Sequence, residues 1–63
     1  MASDAAIMEV GARLLAIGDY ATACANKLAR YPDADRDWLL SRPEHLEALV
    51  NELRKACEAA ANE

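Results

Sequence analysis

Asp33, Asp35 and Asp37 alternate along one short stretch, and Glu44 stands at the twelfth place counted from Asp33. Calcium loops between helices put oxygen ligands at places one, three, five and twelve. Ser41 falls at the ninth place and Leu40 at the eighth. The sixth place must turn sharply and normally carries glycine. Here it is Trp38, for which a positive φ is costly. The stretch therefore reads better as an acidic helix start, which the helix dipole favours. No metal site and no cofactor are expected.

Other reactive residues are few. His45 is the sole histidine, and no partners for a catalytic triad can be placed around it. Cys24 and Cys57 lack the C-x-x-C spacing of zinc or thioredoxin-type sites. No glycine-rich phosphate loop is present. The expectation is a protein that is not an enzyme. The N-terminus carries Asp4 and Glu9 instead of a basic region and a long apolar run, so neither a leader nor a membrane span is expected. This predicts a cytoplasmic protein of a bacterial host, with both thiols reduced and packed as small hydrophobes. Seven basic against eleven acidic residues give a net charge of −4. That balance argues against a nucleic-acid polymer as partner, which calls for a basic stripe. It leaves room for a protein partner steered by charge.

Helices must position these residues. Fifteen of the 63 residues are alanine, the best helix former, while phenylalanine is absent and β-branched residues are sparse. Ser3 or Asp4 can cap a first helix. Ile7, Val10, Leu14, Ile17, Ala21, Cys24, Leu28 and Tyr31 then recur at spacings of three and four, a heptad seam that ends at Pro32. Tyr20 lies off that seam. Trp38, Leu39 and Leu40 predict a short linking helix, with Trp38 plugging the junction between two long helices. Ser41 to Glu44 reads as a capping box that opens the last helix, with Pro43 in its first turn. That helix gathers Leu46, Leu49, Val50, Leu53, Ala56, Cys57 and Ala60 on one face and frays near Asn62. The fold class is an all-α helical hairpin, residues 1–63 forming a single domain. Joining Tyr31 to about Arg42 makes facing positions sum to about 73. Cys24 and Cys57 are then staggered by about eight residues, or about 12 Å, beyond the roughly 7 Å a disulfide spans.

The first helix, about 27 residues and 40 Å long, is too long for the globule that 63 residues can make, about 27 Å across. A partner must cover the excess. A second row, Met8, Gly11, Leu15, Gly18, Thr22, Ala25 and Ala29, is mostly small and invites close helix packing. Two seams imply two neighbours: the last helix of the chain and a second copy. The expected assembly is a homo-oligomeric helix bundle, a dimer by preference. Its interface is assigned to Ile7, Gly11, Leu14, Leu15, Gly18, Ala25 and Trp38.

Trp38-Leu39, Leu46, Leu53 and Ala56, with Asp35 upstream, carry a family likeness. The stretch 33–56 resembles the helical-hairpin domain of phage proteins that sponge the cyclic nucleotides of bacterial CBASS immunity. The sequence departs from that family where its distinctive glutamine–glycine and methionine positions are filled by Glu47, Leu49 and nearby residues, and where its arginine near the end is displaced or replaced by Arg54 and Lys55. The resemblance implies a small oligomer that holds a nucleotide between protomers with aromatic and basic side chains. Tyr20, Lys27, Arg54 and Lys55 are the available types. The leading expectation is nevertheless a helical inhibitor or regulator of a larger host protein, of the kind phages and mobile elements encode, with the cyclic-nucleotide sponge as the alternative.

Overall fold

Ser3 begins the fold. Its Oγ accepts the Ala6 N–H at 3.1 Å, and its carbonyl accepts the first helical bond, from Ile7. These bonds satisfy donors that a helix start otherwise leaves open. From there helix α1 runs Asp4–Arg30. Lys27 and Arg30 in its last turn complement the dipole, and the Tyr31 N–H closes it on the Lys27 carbonyl at 2.8 Å. In the computed structural model, residues 2–31 and 33–63 are described. Pro32, expected to end the first helix, lies outside them.

Asp35 opens helix α2, which runs Arg36–Ala61. Its carboxylate accepts the Trp38 N–H at 2.9 Å. The separate linking helix expected at Trp38–Leu40 does not exist as such, because it is the first turn of α2. Ser41 is therefore not a cap: its hydroxyl donates to the Trp38 carbonyl at 2.8 Å. Glu44 sits inside the helix, and so does Pro43. The Asp33–Glu44 stretch cannot wrap a cation as a loop, since helix occupies it from residue 36 onward.

The two helices form one antiparallel hairpin, 48 × 17 × 9 Å. Tyr20 meets His45, Lys27 meets Trp38, and the Ser3 N–H donates to Glu63 Oε2. Facing positions thus sum to about 65, not 73, because α2 begins six residues before the expected Arg42. Cys24 lies opposite position 41, so Cys57 is about 24 Å away along the axis at 1.5 Å per residue. Both thiols are free.

The heptad seam of α1 splits. Val10, Ile17 and Cys24 turn toward α2, with Ala6, Arg13 and Tyr20 beside them. Ile7, Leu14, Leu28 and Tyr31 stay exposed. The large Tyr20 ring sets this rotation, since it fills the gap against His45. The seam of α2 splits in the same way: Leu49, Leu53, Ala56 and Ala60 face inward, while Leu46, Val50 and Cys57 remain exposed. Among the described residues, Ala60 alone is buried.

Candidate protein-binding faces and an aromatic–cation cluster

Three surfaces follow from that geometry. The first is a flank shared by both helices. Ala21, Ala25 and Leu28 of α1 and Leu39, Pro43 and Leu46 of α2 line a mostly apolar groove of about 480 Å³, to which Tyr20, Trp38 and the cation Arg42 also contribute. Seven-residue steps extend its walls along each helix, to Leu14 and Ile7 on α1 and to Val50 and Cys57 on α2. Steps of seven stay on one face, drifting only about 20° each. With facing positions summing to about 65, the flank has four apolar layers: Ile7 with Cys57, Leu14 with Val50, Ala21 with Leu46, and Leu28 with Leu39.

The second surface is the outer side of α1, turned away from α2. Met8 and Leu15 are 74% and 70% exposed there. Gly11 and Gly18 lie on the same row, and a Cβ built on either meets nothing within 4 Å. These glycines are therefore not required by the hairpin itself. Of the residues assigned to an interface, Ile7 and Leu14 fall on the flank, and Gly11, Leu15 and Gly18 on the outer row. Ala25 borders both. Trp38 is half-buried near the hairpin's closed end.

The third surface surrounds Trp38. Lys27 Nζ lies 4.7 Å and Arg42 Cζ 4.5 Å from its ring centroid. Arg42 Cζ is also 5.9 Å from the Tyr20 ring. Arg42 is fixed by its own helix: Nε donates to the Trp38 carbonyl at 3.0 Å, and Nη2 to Ser41 Oγ at 2.7 Å. Lys27, Arg30, Tyr31 and Trp38 line a recess of about 390 Å³ at the hairpin's closed end, with Asp33 and Asp35 on the same wall. Desolvation raises the Tyr20 phenol above its ordinary value, with the neighbouring Cys24 adding to it and Arg42 opposing it. The Tyr20 hydroxyl is shielded and has no well-directed hydrogen bond.

Tyr20 and Lys27 thus belong to one cluster, although Tyr20 lies off the apolar seam of the sequence. Arg54 and Lys55 lie nine and ten residues beyond His45, about 14 Å along α2. They are engaged locally, with Asn51 at 3.3 Å and Glu52 at 3.5 Å. The four candidate ligand residues do not converge within one chain. Arg42 joins the cluster unforeseen. Its signal was the four-residue spacing from Trp38, which places it one turn on in a helix that does not break.

Compared with known proteins, the chain matches no family model, no curated sequence and no solved structure. No helix is long and apolar enough, within the described residues, to cross a membrane. The fold defines a helical hairpin, and its site must be read from the surfaces.

Proposed function

We propose that this chain is a small, non-enzymatic helical homo-oligomer that binds a larger protein and inhibits or regulates it. One observation carries the reading. Ten large apolar side chains are exposed, from Ile7 to Val50, against a single buried alanine among the described residues. Soluble monomers rarely leave contiguous apolar patches larger than a few hundred Å² uncovered. The assignment to inhibitors of the kind phages and mobile elements encode rests on size, acidity and the absence of catalytic groups in the sequence, a class-level argument.

The outer row of α1 suits the larger protein, because Met8 and Leu15 project beside glycines where another helix can approach closely. The test is capture from bacterial lysate by the tagged full chain and by Met8→Glu/Leu15→Glu. A stoichiometric protein held by the wild type and lost by the variant supports the reading. Equal capture by both, or none by either, removes it.

A cyclic nucleotide is the second reading, favoured by the cations Lys27 and Arg30 beside Tyr31 and Trp38 in the closed-end recess. Asp33 and Asp35 on the same wall oppose a phosphate. A ligand at 100 times its dissociation constant stabilises by about 2.7 kcal/mol. Thermal melts with cyclic di- and trinucleotides at hundreds of micromolar therefore decide it, and no shift with any of them ends it.

A further inference from the structure

We propose that the Ile7–Leu14–Ala21–Leu28 and Leu39–Leu46–Val50–Cys57 flank is the seat of a second copy of this chain, two hairpins closing a four-helix bundle about a two-fold axis. This rests on the homo-oligomer half of the reading above and names the face that does the work.

Area is the first argument. The hairpin exposes 4917 Å². A compact monomer of 6.8 kDa should expose about 4,000 Å². The excess is about 900 Å² per chain, hence about 1,800 Å² for two, within the roughly 1,200–2,000 Å² that stable interfaces bury. The radius of gyration says the same: 14.8 Å against about 11 Å for a globule of this length.

Shape is the second argument. The four layers are spread evenly from Ile7 to Leu28, 21 residues or about 32 Å of helix. An occupant that covers both walls along their length, and not only the groove between them, presents two helices of that length side by side. A second hairpin has them. A two-fold axis brings each flank against its own like, so the surface must be self-complementary. None of the eight residues in its four layers is charged; the cation that lines the groove, Arg42, is held within its own helix by the Trp38 carbonyl and Ser41 Oγ. At about 100° per residue, Arg36, Glu47 and Arg54 of α2 fall beside the flank row and not on it. With the flank covered, Leu14, Leu28, Leu46 and Val50 become the core that the hairpin alone lacks.

Sedimentation equilibrium of the wild type and two variants tests the face. The wild type should sediment at twice 6.8 kDa. Leu14→Glu/Leu46→Glu should raise the dissociation constant at least about thirtyfold, the effect of losing a central apolar anchor. Leu15→Glu, about 100° around α1 from Leu14, should leave it unchanged. Because the flank variant can also unfold, a second measurement uses the wild type alone. Cys57 is exposed in the hairpin and lies on the flank, so its alkylation by iodoacetamide, read by peptide mass mapping, should slow as protein concentration rises. A dimer that survives the flank variant but not Leu15→Glu overturns the face and keeps the oligomer. A monomeric wild type with Cys57 reacting at one rate at every concentration overturns both, and leaves the flank to a foreign protein.

Discussion

Pro43→Ala separates the continuous helix from a pair of short ones, because the two architectures give effects of opposite sign. A proline in a first helical turn removes no hydrogen bond and is preset for the helix. Replacing it there would be neutral or mildly destabilising. In the structure Pro43 lies inside α2, seven residues beyond Arg36. There it withholds an N–H from the Leu39 carbonyl, crowds that carbonyl, and biases Arg42 away from helical angles. An interior proline costs about 3 kcal/mol against alanine. Part of that cost is offset already. The Ser41 hydroxyl and Arg42 Nε both donate to the Trp38 carbonyl, at 2.8 and 3.0 Å, bracing the turn just before the break. Alanine also frees the unfolded chain, which returns up to about 1 kcal/mol. The net expected gain is about 1–2 kcal/mol, a rise of about 4–16 °C in melting temperature for a chain this small. The melts must be compared at equal protein concentration, since assembly contributes to both. A lower melting temperature for Pro43→Ala, with the amide introduced at that position exchanging as fast as an unfolded one, would refute the single-helix account.

Arg42→Met keeps the aliphatic stem but loses the contacts over Trp38 and Tyr20 and the bond to the Trp38 carbonyl. Stability should drop by about 1–2 kcal/mol in urea melts, and a change under about 0.5 kcal/mol would show the cluster to be ornamental. Tyr20→Phe removes a shielded hydroxyl with no well-directed hydrogen bond and should leave the melting temperature at neutral pH unchanged or raise it. Tyr20's folded pKa is raised, chiefly by desolvation. Its contribution is therefore full below about pH 10 and lost as pH climbs through the folded value. Urea melts across that range should show an alkaline decline in the wild type that Tyr20→Phe lacks. Glu63 has the opposite sign. Hydrogen bonds from Ser3 hold its carboxyl below the usual range, so its contribution is present above about pH 4.3 and lost on acidification. Glu63→Gln should flatten the acid limb of stability, and an unchanged limb would rule out the tie between the chain ends.

The helices were legible because composition and spacing agree. Alanine is abundant, apolar residues recur at three and four, and Ser3 caps where a cap was expected. The start of α2 was not legible, because two capping signals compete within ten residues. Asp35 stands three before Trp38, and Ser41 three before Glu44. Local chemistry does not rank them. The tertiary contact does: Trp38 packs under Lys27 of α1, which rewards helix at Trp38 and leaves Ser41 one turn inside. With α2 starting at Arg36, facing positions sum to about 65 and not about 73, and every cross-helix neighbour differs accordingly, including the Tyr20–His45 contact.

The rotation of α1 explains why the site was harder to read than the fold. Its apolar and small residues cover about half the circumference, from Val10 through Ile7 and Gly18 to Met8. A single neighbouring helix shelters only part of such an arc, so periodicity alone cannot say which part. Tyr20 decides it. A ring that large is costly to leave as a ridge between two helices, and it packs inward against His45. Once Tyr20 faces α2, the aliphatic stem of Arg13 is drawn to the same side, where its head still reaches Glu9 at 2.8 Å. Leu14 and Ile7 are thereby left out. The hairpin thus admits an aromatic and a cation to its own seam beside Val10 and Ile17, and leaves Ile7, Leu14 and Leu28 exposed. That division is unfavourable for a lone chain and favourable for one that meets a second apolar surface. The same rotation places the aliphatic flank and the glycine row on different sides of α1, so the two proposed contacts, with a second copy and with a larger protein, do not compete for one face.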